Sequence, residues 1–83
     1  MLKIRDDVDL KVLEKFGFKV DRYNLWYEYH AKNNFKDSIV IKVENKKIGF
    51  YQNYNGKSYD TLFDLIQAGL VEKVEDKWNI VLY

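Results

Sequence analysis

His30 is the single histidine of this 83-residue chain, and there is no cysteine. A metal held at His30 would therefore have to recruit carboxylates alone, a poor donor set for zinc. A catalytic histidine needs a nucleophile and an orienting acid converging on it, and nothing in the sequence places either beside His30. It reads as a surface or half-buried histidine. The acidic cluster Asp6, Asp7, Asp9 lacks the spacing and the glycine of a calcium loop, and helix capping accounts for it. Gly56-Lys57-Ser58 ahead of a helix has the ending of a phosphate-binding loop, but that motif requires a glycine where Tyr51 stands. The expectation is a non-enzyme with no catalytic residues, cofactor or metal.

What remains is the chemistry of binding, in two sets. Lys32, Phe35, Lys36, Lys42, Lys46, Lys47, Tyr51, Tyr54 and Lys57 form a basic, aromatic middle. Lysines neutralise phosphates and exposed rings stack on bases, so Lys32, Lys36, Lys42, Lys46, Lys47 and Lys57 are the candidate nucleic-acid ligands. The net charge is only +1, distributed as +4 over residues 31–58 and −3 over residues 59–83. Such a dipolar chain offers a weakly basic face rather than a strong nucleic-acid field. The second set is Trp26, Glu28 and His30 on the outward face of one strand, with Val40, Lys42 and Tyr51 on its neighbours. Tryptophan and tyrosine are frequent anchors of protein interfaces, so these six are the candidate partner-binding residues. An aromatic sheet face or an uncovered edge strand also suits a homodimer.

The elements that position these groups are legible in outline. Leu2 and Ile4 alternate with Lys3 and Arg5, which predicts a short edge strand. Residues 10–16 form a short helix with Val8, Val12, Leu13 and Phe16 inward, Asp6 or Asp7 as N-cap and Gly17 as its stop. Strands follow over 18–20 and 24–31, the second with Leu25, Tyr27, Tyr29 and Ala31 on its inner face. A polar loop, KNNFKD, leads to a hairpin of 38–43 and 48–52, which puts Ile39, Ile41, Ile48 and Phe50 inward and gives Asn45 the turn position tolerant of positive φ. After the turn signal Asn55-Gly56, Ser58 caps a helix whose buried face is Tyr59, Leu62, Phe63 and Ile66, with Leu65 at its flank. Gly69 ends that helix, and strands over 70–74 and 78–83 flank a charged turn.

The composition is globular, 47% hydrophobic and 33% charged, and 17% aromatic residues let a small core bury area efficiently. There is no proline and no linker-like stretch, so residues 1–83 read as a single domain. No apolar run approaches the roughly 20 residues of a membrane helix, and MLKIRDDVD lacks the apolar centre of a signal peptide. A cytoplasmic protein is expected. The helix, glycine, strand, charged turn, strand order occurs twice: Leu10, Leu13 and Gly17 match Leu62, Leu65 and Gly69. Either a duplicated unit or convergence of short helix-to-hairpin units gives this pattern.

Two resemblances add to this reading. LFDLIQAGLVEKVEDKWNIVLY is similar to the end of a winged helix, which implies nucleic-acid binding. Winged helices supply more helix beforehand, however, and Asp60, Asp64 and Gln67 suit a major-groove reader poorly. LKIRDDVDLKVLEKFGFK together with LFDLIQAGLVEK resembles small uncharacterised phage and prophage proteins of low-GC Gram-positive bacteria. That resemblance implies a compact accessory protein, an inhibitor or modulator of a host machine such as a defence system, and brings no catalytic residues with it. The expected fold is α+β, two helices packed on a mainly antiparallel sheet of about four to six short strands. The expected function is protein binding, with a small DNA- or RNA-binding module using residues 32–57 as the alternative.

Overall fold

In a computed structural model, which describes residues 1–31, 37–50 and 57–74, the chain has an α+β fold with one 3₁₀ helix, one α-helix and two antiparallel sheets. The elements are β1 (Leu2–Ile4), the 3₁₀ helix (Leu10–Phe16), β2 (Lys19–Val20), β3 (Trp26–His30), β4 (Ser38–Lys42), β5 (Ile48–Phe50), α1 (Lys57–Gln67) and β6 (Val71–Lys73). The larger sheet has the order β2-β3-β4-β5, and the smaller pairs β1 with β6. The predicted terminal strand 78–83 and its charged turn, the loop residues 32–36 and the Asn55-Gly56 turn lie outside the described residues.

Alternation within the strands sorts the sheet's two faces. Tyr27, Ile41 and Ile48 lie in one cross-strand row, Tyr29, Ile39 and Phe50 in the next. With Ile4, Leu13, Phe18, Leu62 and Leu65, most of these form the core. Among them Ile4, Leu13, Ile39, Ile41 and Leu65 have no accessible surface. β1 is not the lone edge strand that its alternation predicts. It pairs with β6 on one side, while on the other Lys3 bridges to Lys47 and the Ile4 N–H donates to the Lys46 carbonyl at 2.9 Å. It thereby joins the two sheets.

Both helices end in the same way. Gly17 and Gly69 take left-handed φ values of 90° and 75°. Gly17 N–H donates to Glu14 O and Phe18 N–H to Leu13 O, each at 3.2 Å; Gly69 N–H donates to Ile66 O at 3.0 Å and Leu70 N–H to Leu65 O at 3.1 Å. Carbonyls that the helix leaves unpaired are thus satisfied at both ends.

The starts of the helices differ from the sequence expectation. Asp9, rather than Asp6 or Asp7, caps the first helix, its carboxylate accepting from Lys11 N–H at 3.0 Å. Seven residues between that cap and Gly17 wind as a 3₁₀ helix, whose turn takes three residues. In the second helix Ser58 lies inside the first turn rather than before it. Its N–H donates to the carboxylate of the buried Asp37 at 3.0 Å, so a residue 21 positions earlier supplies the acceptor.

Candidate interaction surface

The inward face of α1 is rotated from the one its apolar spacing predicts: Leu62 and the flanking Leu65 are buried as expected, but Tyr59, Phe63 and Ile66 are not. Ser58, Thr61, Leu62 and Leu65 are buried, whereas Tyr59, Phe63 and Ile66 are 48%, 57% and 46% exposed. Both faces recur with helical spacing, and the polar Ser58 and Thr61 masked the inner one. The expectation that Phe50 points into the core is corrected in the same way. It is 40% exposed, and its ring packs against Tyr59 with centroids 5.3 Å apart. Phe50 stands in register with the buried Ile39 but at the outer strand of its row, so α1's Tyr59, not the core, receives it. The result is an exposed apolar strip of Phe50, Tyr59, Phe63 and Ile66, with Asp60 and Asp64 exposed on the same helix.

The opposite face of the sheet carries the residues singled out for partner binding. Trp26 is opposite Lys42, Glu28 opposite Val40 and His30 opposite Ser38. Five of the six candidates therefore share one face of two neighbouring strands; Tyr51 lies outside the described residues. Trp26, Glu28, His30 and Val40 are half-buried, and Lys42 is exposed. Leu25, predicted to line the inner face, is exposed instead. Asn24 at φ 57° turns the chain before β3 begins, while Asp21 accepts from the N–H groups of Tyr23, Leu25 and Trp26 and fixes this loop.

On this face His30 has the neighbours that sequence reasoning did not supply. His30 Nδ1 and Ser38 Oγ are 2.6 Å apart, His30 Nε2 and Glu28 Oε2 are 3.2 Å apart, and the Trp26 indole N–H also donates to Glu28. By distance alone this is a hydroxyl, imidazole and carboxylate relay. Ser38, however, has no accessible surface, so its hydroxyl is closed to a substrate and the chain of bonds ties β3 to β4. The i, i+2 spacing of Glu28 and His30 was visible in the sequence; the partner strand's register was not.

The lysines divide by what holds them. Lys46 Nζ donates to the carbonyls of Val8, Asp6 and Arg5 at 2.7, 3.1 and 3.4 Å, so this candidate phosphate ligand is spent on fixing the loop after β1. Lys46, not Asn45, takes the positive φ of the turn, at 61°, while Asn45 Oδ1 accepts from Lys47 N–H at 2.9 Å. Lys42 and Lys47 are exposed. Lys32 and Lys36 lie outside the described residues, and of Lys57 only the backbone, at the start of α1, is described. The acidic cluster is likewise accounted for. Asp6 pairs with Lys3 at 2.6 Å, Asp7 with Arg5 at 3.0 Å, and Asp9 caps. The Lys3 hydrogen bond and charge hold the Asp6 carboxyl below its ordinary value, and burial pushes the Tyr27 phenol up.

Among the described residues no group of three or more His, Cys, Asp or Glu comes together to hold a metal, and no helix is long and apolar enough to cross a membrane. No family model, curated protein or solved structure matches the chain.

Proposed function

We propose that this protein is a non-enzymatic protein-binding accessory whose contact surface is the strip formed by Phe50, Tyr59, Phe63 and Ile66. One observation carries this reading: four large apolar side chains are each at least 40% exposed on adjoining elements. Scattered exposed apolar residues are ordinary, but rings and aliphatic chains gathered in one strip mark an interaction site. The buried Ser38 hydroxyl supports a non-catalytic reading of the His30 relay. The resemblance to phage and prophage accessory proteins supports the finer reading, an inhibitor or modulator of a host machine.

The experiment is a tagged pull-down from bacterial lysate, with and without nuclease, comparing wild type with the Tyr59→Ser/Phe63→Ser variant. A discrete protein that survives nuclease and is lost with the variant is the expected result, provided both forms are folded. Nuclease-sensitive recovery of many proteins together with polynucleotide would sink this reading and favour the lysine-rich alternative. Sedimentation analysis of the purified protein completes the test, because a dimer abolished by the same variant would make the partner a second copy of the chain.

A further inference from the structure

The sheet face turned away from α1 holds a depression of about 240 Å³, lined by Val40, Lys42, Lys47, Gly49 and the edge of Phe50, whose ring points to the other face. Two features of these walls are not explained by folding. One step beyond the Ile41–Ile48 pair, Lys42 N–H donates to Lys47 O at 3.1 Å, which sets the two lysines directly opposite each other. Like charges facing across strands are destabilising, and neither ammonium has a carboxylate within ion-pair distance among the described residues. Their neighbours differ: Lys3 is paired with Asp6 and Glu72, and Lys46 is bound to carbonyls.

The second feature is Gly49. It sits in the middle of β5, where glycine weakens a strand and a β-branched residue would strengthen it. Its backbone does not require glycine, because only Gly17 and Gly69 among the described glycines have positive φ. Nor does space require it, since a Cβ there would meet only the Val40 carbonyl, at an ordinary 3.8 Å. What the missing side chain provides is the open floor of the depression.

We propose that Lys42, Lys47 and Gly49 form an anion-binding site on the sheet face opposite α1, where a carboxylate from an acidic segment of the protein partner is held between the two ammoniums. An apolar residue next to that carboxylate enters the depression against Val40 over the open floor at Gly49. This inference rests on the protein-binding reading and gives the partner a chemistry: an acidic group beside an apolar one. A polynucleotide fits less well. Among the described residues only Lys42 and Lys47 line the depression with ammoniums, and Glu28 stands beside Val40 on the same face, so an extended phosphate backbone would find two charges and then repulsion.

The test is an amide-shift titration of the isotope-labelled protein with four probes. They are a short acetylated peptide alternating glutamate and leucine, its glutamine counterpart, a single-stranded oligothymidylate and inorganic phosphate. The glutamate peptide should shift Val40, Lys42, Lys47 and Gly49 saturably, and the glutamine peptide should not. Lys42→Gln/Lys47→Gln should weaken binding about tenfold or more, the scale of losing a charge-assisted contact. Gly49→Val should weaken it comparably while the melting temperature holds or rises. A flat titration, or shifts indifferent to both variants, would overturn the site. An equal response to inorganic phosphate would reduce it to an adventitious ion only, and tighter, competing oligothymidylate binding would assign it to nucleic acid. If the strip variant loses a captured partner while the lysine and Gly49 variants keep it, this site fails and the protein-binding reading stands. If no protein is captured and purified protein does not self-associate, the parent reading fails.

Discussion

The 3₁₀ helix with Gly17 and β2, and α1 with Gly69 and β6, are two units with one ending and two different outcomes. Their caps share the same pair of hydrogen bonds, and Leu13 and Leu65, at matching positions before the glycine, both have no accessible surface. Beyond that point they diverge. In the first unit Val8, Leu10 and Phe16 are partly buried against the core, so the apolar side chains around its helix are largely consumed, although Val20 of β2 is exposed. In the second, Tyr59, Phe63 and Ile66 stand outside it. The strands diverge too, since β2 pairs with its immediate neighbour β3 whereas β6 pairs with β1 from the far end of the fold. The shared leucine and glycine spacing thus specifies how a helix stops and which residue it anchors. It does not specify what the rest of the helix touches, and only the second unit keeps an exposed apolar helix face, the one on which the proposed contact surface lies.

Four sets of variants break or sharpen this equivalence. The largest effect belongs to the anchors: Leu13→Ala and Leu65→Ala should each cost about 2–5 kcal/mol in denaturant unfolding, and markedly unequal costs would show that the caps differ in role. Gly69→Ala should cost about 1–2 kcal/mol from the left-handed backbone alone, because nothing lies within 4 Å of an added Cβ. Gly17→Ala should cost at least as much, its Cβ meeting the Tyr29 ring at 3.4 Å. Phe63→Ser should stay within about 0.5 kcal/mol of wild type and Tyr59→Ser, which loses its ring contact with Phe50, should cost about 0.5–1.5 kcal/mol, whereas Phe16→Ser, in the first unit, should exceed the Phe63 cost clearly. Smallest is the Lys3–Asp6 pair at the start of the chain. The Asp6 carboxyl lies below its ordinary value when folded, so its contribution is present above the unfolded value and lost as pH falls through the folded one. The difference between wild type and Asp6→Asn in urea melts should therefore be measurable near neutrality and vanish in strong acid.

The parts of the fold set by short-range chemistry were readable before any coordinates. Gly17 and Gly69 as stops, the inward Ile39, Ile41 and Ile48, and the alternation that sends Trp26, Glu28 and His30 outward all depend on neighbours a few residues away. The failures depend on distant ones. Asp37 reaches Ser58 across 21 positions, which moves the helix start and turns Ser58 and Thr61 inward at the expense of Tyr59 and Phe63. Lys46 reads as a free basic residue until the carbonyls of residues 5–8 are seen around it. The same holds for the outer sheet face: periodicity places Trp26 and Lys42 there, but the pairing of Lys42 with Lys47 and the open floor at Gly49 require the hairpin's register.

The seat of β1 between the two sheets fixes the order in which the fold can close. Leu2–Ile4 hydrogen-bonds to residues 71–73 on one side and to Lys46 and Lys47 on the other, and neither partner precedes it in the chain. Lys46 and Lys47 reach β1 first, but its full pairing waits for β6, and the 3₁₀ helix and β4 likewise wait for α1 to cover the core they share. The β1–β6 pairing closes the longest loop among the described strand pairs, so its chain-entropy cost is the largest of them, and without it one edge of β1 is open.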